Sequence, residues 1–187
     1  MANKDFIRIR NEFFRTLIFL AVLLAGGFYI FGPKPVKDIQ LFCDVENIES
    51  RGKERFFTST YDLLGGVHQS NAFARSGAYS LELFKEKQYG LQWSLDQLEG
   101  SEYVEIEVWR KNLRNGFKDG LLVAEVQGIL WEAAKEIETD EAGEWVKLGL
   151  SLTLDCRSEK KVLKIYCWNS SENKVYFDDL SIKVKGK

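Results

Sequence analysis

Asp178 is the residue whose type and place most demand a chemical explanation. It lies in Val175–Val184, VYFDDLSIKV, where Leu180, Ile182 and Val184 share one face at the two-residue period of a strand. Extending that parity backwards puts Asp178 and Tyr176 on the same, inward side. A buried carboxylate is costly unless it meets a cation or several donors. A metal, a ring of backbone N–H groups or a bulge must therefore answer it. Glu105 and Glu107 are a second candidate pair. In Tyr103–Arg110, YVEIEVWR, they share a face with Tyr103 and Trp109, opposite Val104, Ile106 and Val108. Two such carboxylates could flank a bond as nucleophile and acid/base, at about 5–5.5 Å in a retaining displacement. Trp168 and Tyr166 form a third set, outward with Lys164 on Val162–Trp168, opposite Leu163, Ile165 and Cys167.

Other chemistries are removed by composition. His68 is the only histidine, which excludes most Ser-His-Asp, Cys-His and His-rich zinc schemes; in GGVHQSN it reads as a loop residue. Cys43, Cys156 and Cys167 have neither CxxC nor metal-ligand spacing. A Cys156–Cys167 disulfide across a turn at Arg157–Lys161 is possible by proximity in sequence but out of register, and is not favoured. The 26 basic and 28 acidic residues nearly cancel and are interspersed, so no nucleic-acid partner is expected.

The elements that must position these residues are strands. Trp145–Leu154 alternates cleanly, with Val146, Leu148, Leu150, Leu152 and Leu154 facing one way. Ser80–Phe84, Leu91–Leu95 and Leu121–Val126 are shorter candidates, and Trp93 shares its face with Leu91 and Leu95, as a core residue would. Turn signals separate the strands at Ser76-Gly77, Asn115-Gly116, Asp119-Gly120, Ala142-Gly143 and Asn169–Ser171. Only Glu132–Glu138 hints at a helix; Trp131, just before it, reads as loop. Many short alternating strands imply an all-β fold, an antiparallel β-sandwich.

The N-terminus is different. Thr16–Gly32, TLIFLAVLLAGGFYIFG, carries no charge. As a helix it would span about 25 Å at ~1.5 Å per residue, close to a bilayer core of about 30 Å. Lys4, Arg8, Arg10 and Arg15 precede it, which keeps residues 1–15 cytoplasmic and places the C-terminal domain outside, in the periplasm or at the cell surface. A cleaved signal peptide with its apolar region at Leu17–Leu24 competes, but Phe28–Phe31 would make a poor mature N-terminus. The expected organisation is a cytoplasmic segment 1–15, a transmembrane signal-anchor 16–32, a proline-stiffened linker 33–39 and a sandwich domain 40–187.

In order along the chain, Asp44-Val45-Glu46, ARSGAYSLEL at Ala74–Leu83, YVEIEVW, Gly143-Glu144-Trp145, LKIYCWN at Leu163–Asn169 and YFDDL at Tyr176–Leu180 together resemble the galactose-binding-like jelly roll of many carbohydrate-binding modules. The resemblance covers roughly Gln40 to Val184. It implies a structural calcium ion held by Glu46, main-chain oxygen near Ser76 and Gly77, and Asp178, which would also answer the inward carboxylate. It further implies sugar binding by outward aromatics that stack on pyranose rings, with Trp109, Glu105 and Glu107, or Tyr166 and Trp168, as ligand-binding residues. Glu105 and Glu107 also resemble part of the ExDxE pattern of jelly-roll glycosidases. Trp109 stands where the third acid belongs, so catalysis is not expected. The expectation is a membrane-anchored, non-catalytic, extracytoplasmic domain that binds carbohydrate. The alternative is a structural or accessory subunit of an envelope complex, with the sandwich binding an envelope protein partner.

Overall fold

The computed structural model of the chain describes residues 38–98, 101–112, 119–155 and 161–186. The expected anchor Thr16–Gly32, the Asn115-Gly116 turn, Cys156 and residues 157–160 lie outside the described residues. Among those described, no helix is long and apolar enough to cross a membrane. Pro35–Lys187 forms one compact unit.

Fourteen strands occur among the described residues. The first five are short: β1 (Ile39–Cys43), β2 (Ile48–Arg51), β3 (Glu54–Phe57), β4 (Leu63–Leu64) and, after a single 3-10 turn at Gly66–His68, β5 (Gln69–Ser70). Then come β6 (Ser80–Leu83), β7 (Tyr89–Leu98), β8 (Ser101–Lys111), β9 (Gly120–Val126) and β10 (Leu130–Ala133). The last four are β11 (Lys135–Thr139), β12 (Trp145–Asp155), β13 (Lys161–Asn169) and β14 (Val175–Gly186). They build two antiparallel sheets. The first runs β11-β12-β8-β14-β6-β5, with β1 also paired to β14; the second runs β10-β9-β13-β7-β4-β3-β2.

Alternating apolar side chains meet between the sheets. Val104, Ile106 and Val108 of β8 and Leu148, Leu152 and Leu154 of β12 face Leu163, Ile165 and Cys167 of β13, Trp93 of β7 and Leu122 of β9 in one buried core. The expected faces of β8, β12 and β13, and the core place of Trp93, are those observed. Cys43 and Cys167 are buried free thiols, while Cys156 lies outside the described residues; burial pushes the Cys43 thiol up to about 12.

Glu132–Glu138 is not helical. It comprises the end of β10 and most of β11, the edge strands of opposite sheets, joined where Ala134 donates its N–H to Leu122 O. The Glu-Ala-Lys composition favours a helix only weakly, and pairing with β9 and β12 outweighs it. Trp131, read as loop, is likewise on a strand, directly opposite Glu125.

The parity of β14 also breaks. A bulge falls between Asp178 and Ser181, with Asp179 at φ 51°. Phe177 lies opposite Arg110 and Asp178 opposite Trp109, whereas Ile182 lies opposite Ile106. Val175 and Phe177 therefore face the core before the bulge, and Leu180, Ile182 and Val184 after it. Tyr176 and Asp178 are on the outer face of the first sheet, not on the inward side that unbroken alternation requires, because one extra residue reverses the alternation.

Candidate functional site

Three places carry the candidate residues. On the outer face of the first sheet, Trp109 is only 7% exposed and packs with Trp145 and Tyr176 in a cluster separate from the core. The loop between β5 and β6 lies over it. Phe73 meets Tyr176 edge-on at 4.9 Å, and the Arg75 guanidinium sits 3.8 Å above the Trp109 ring. Lys147 approaches the same ring at 4.8 Å, and cation–π attraction of this kind favours a closed cover. The strand alternation rightly turned Trp109 away from the core, but the loop above it leaves no open ring face for a sugar. Glu105 and Glu107 are half-buried on the same sheet face. Glu105 pairs with Lys183 at 3.5 Å, Lys147 with Glu138 at 2.5 Å and Lys111 with Glu144 at 2.7 Å. This face is covered and largely charge-paired.

The second place is the turn 75–79. Asp178, fully buried, accepts the N–H groups of Arg75 at 2.8 Å, Ser76 at 3.2 Å and Asp179 at 2.8 Å. Asp179 holds the Arg75 guanidinium and the Ser76 hydroxyl, each at 2.7 Å. From the other side, Glu46 Oε1 accepts the N–H groups of Ala78 and Tyr79, both at 2.9 Å. Gly77 is at φ +59°, and a Cβ there would run into the Glu46 carboxylate. The carboxylate of Asp178 is thus met by backbone donors beside a bulge. Burial nevertheless pushes its carboxyl up to about 7; the Arg75 and Ser76 N–H groups oppose this and Asp179 adds to it. Among the described residues no three His, Cys, Asp or Glu side chains converge as a metal site. Glu46 and Asp178 both reach this turn, and each meets its backbone N–H groups; carboxylates are the kind of ligand calcium takes.

The third place is the outer face of the second sheet, which is open. Trp168 and Tyr166 project there from β13, opposite Leu163, Ile165 and Cys167. Trp168 lies directly opposite Tyr89 of β7 on one side and Leu121 of β9 on the other. The Tyr89 and Trp168 rings are parallel within 6° at 6.2 Å between centres. Tyr89 meets Tyr166 edge-on at 5.7 Å, and Trp131 of β10 meets Trp168 edge-on at 6.4 Å. Tyr89 is 46% and Trp131 52% exposed, so this aromatic group, unlike Trp109, presents ring surface to solvent. The Tyr166 hydroxyl donates to Glu125 at 3.2 Å. The indole N–H of Trp168 is buried and has no hydrogen-bond partner. A cleft of about 500 Å³ follows, lined by Glu125, Gln127, Lys161, Val162 and Lys164. Sequence parity found Tyr166 and Trp168. It missed Tyr89, two residues before Leu91 at φ 46°, and Trp131, because only strand register brings either beside Trp168.

His68 is half-buried at the end of the 3-10 turn, and burial together with Lys87 holds its imidazole below the ordinary value.

No family model matches the chain, and no curated protein matches it. Solved structures do. The chain is similar to the CBM22-1 xylan-binding domain of Paenibacillus barcinonensis Xyn10C, at 19% identity and a TM-score of 0.45 over 79% of this chain and 94% of that one. It is similar to a second xylan-binding domain of CBM family 22, at 15% identity and a TM-score of 0.46 over 78% and 94%. A family 35 carbohydrate-binding module from Clostridium thermocellum matches at 12% identity and a TM-score of 0.32 over 79% and 98%.

Proposed function

We propose that this chain is a non-catalytic carbohydrate-binding module whose binding surface is the outer face of the second sheet. The observation that carries the reading is the open row of Tyr89, Tyr166, Trp168 and Trp131. Sugar rings present C–H faces that stack on aromatic surfaces, while hydroxyls need polar readers at the edge of the platform. Glu125 supplies such a reader. The jelly-roll connectivity, the anchor at Thr16–Gly32 and the extracytoplasmic address belong to the same proposal. They rest on the sequence pattern.

Retention on gels containing a panel of neutral and acidic polysaccharides tests it. Retardation by at least one polymer, abolished by Trp168→Ala and weakened by Tyr89→Ala, supports the reading. No retardation on any polymer, together with a stoichiometric protein partner from detergent-solubilised membranes, would replace it with the accessory-subunit reading. Structural calcium at the 75–79 turn, on Glu46, Ser76, Gly77 and Asp178, is also proposed. It would neutralise two carboxylates that share one turn and so tighten the loop over Trp109.

A further inference from the structure

We propose that the cleft beside the aromatic row receives the carboxylate of an acidic sugar, so that the glycan taken by this face carries uronate substituents. The inference rests on the reading of the row as a glycan platform and names the class of glycan. The cleft is continuous with the row. Glu125 lies directly opposite Trp131 on one side and Lys164 on the other, so Trp131, Glu125 and Lys164 form one line across three strands. Lys164 itself lines the cleft with Lys161 and Gln127.

The ammonium of Lys164 differs from those of several other lysines of the domain. Lys85, Lys111, Lys147, Lys174 and Lys183 each have a carboxylate within 2.5–3.5 Å. Lys164 is exposed and makes no ion pair among the described residues, although Glu125 is its cross-strand neighbour. That carboxylate instead accepts the Tyr166 hydroxyl. An ammonium left open beside a stacking platform is matched by a carboxylate, which gives a charge-assisted hydrogen bond, about twice as strong as the bond a neutral hydroxyl offers. The Gln127 amide can donate a further one. Sulfate esters present the same anionic chemistry, and the test separates the two.

The experiment uses the full chain in a detergent without a sugar headgroup. Affinity for glucuronoxylan is compared with affinity for the same polymer after its carboxyl groups are reduced to alcohols. Dextran sulfate serves as a general polyanion. The expected result is binding roughly tenfold tighter to the uronate form, an advantage that shrinks with added salt. Lys164→Gln should remove the advantage while keeping the weaker binding of the reduced polymer. Equal affinity for the two forms, persistence of the preference in Lys164→Gln, or equally tight binding of dextran sulfate would each overturn the uronate assignment and leave the platform standing. Absence of binding to either polymer form and to every member of the neutral panel would remove both.

Discussion

Asp178 lies fully buried beneath the loop that carries Arg75, and its carboxyl is raised from the ordinary 3.8 to about 7. The consequence for stability has a definite sign. Between those two values the folded chain holds a proton that the unfolded chain has released, so stability is greatest below the lower value and is lost as pH rises through the upper one. At about 1.4 kcal/mol for each pH unit, the interval sets an upper limit of about 4 kcal/mol, reached just above neutrality. His68 works the other way: held below its ordinary value, it lends stability as pH rises past the unfolded imidazole value and loses it on acidification. The measurement is therefore urea unfolding of residues 35–187 in a His68→Gln background, from about pH 4.5 to about pH 7.5, with and without Asp178→Asn, in the presence of a chelator because a calcium ion on Asp178 would hold its carboxylate ionised. The Asp178 form should weaken with rising pH, whereas Asp178→Asn should be nearly flat. The amide sacrifices at least one of the three backbone bonds, so the variant starts less stable at acid pH, by about 1 kcal/mol or more. A parent curve that is level or rises across the window would refute the reasoning, as would an unchanged slope in Asp178→Asn.

The two tryptophan candidates should separate. Trp109→Ala should destabilise the sandwich by about 3–5 kcal/mol in urea and leave glycan retention intact wherever the variant is folded. Trp168→Ala should reduce glycan affinity on the order of tenfold or more with a smaller loss of stability; the reverse pattern would move the binding surface to the other sheet. Gly77→Ala, strained at positive φ and driven against Glu46, should cost about 1–3 kcal/mol, read as a melting-temperature fall of about 2–4 °C per kcal/mol. Chelation should lower the melting temperature and added calcium restore it if the ion sits at that turn; coincident melting curves would discard the calcium proposal.

Much of this architecture is legible along the chain. The two-residue period of β8, β12 and β13 is a local property, because successive side chains of a strand must point to opposite faces. Val104, Leu148 and Ile165 could therefore be assigned to the core, and Tyr166 and Trp168 to the outside, without coordinates. The same logic failed at Asp178, where one residue in positive φ reverses the alternation, and nothing in FDDL announces it. It was silent on Trp109: outward on a strand does not mean open, and a loop about thirty residues earlier supplies the guanidinium that covers the ring. Tyr89 and Trp131 joined Trp168 only through the register of β7, β9, β10 and β13. Local chemistry thus determined which side chains face away from the core. Long-range pairing and loop cover decided which outward rings meet water together, because neighbours across strands are set by contacts far apart in sequence.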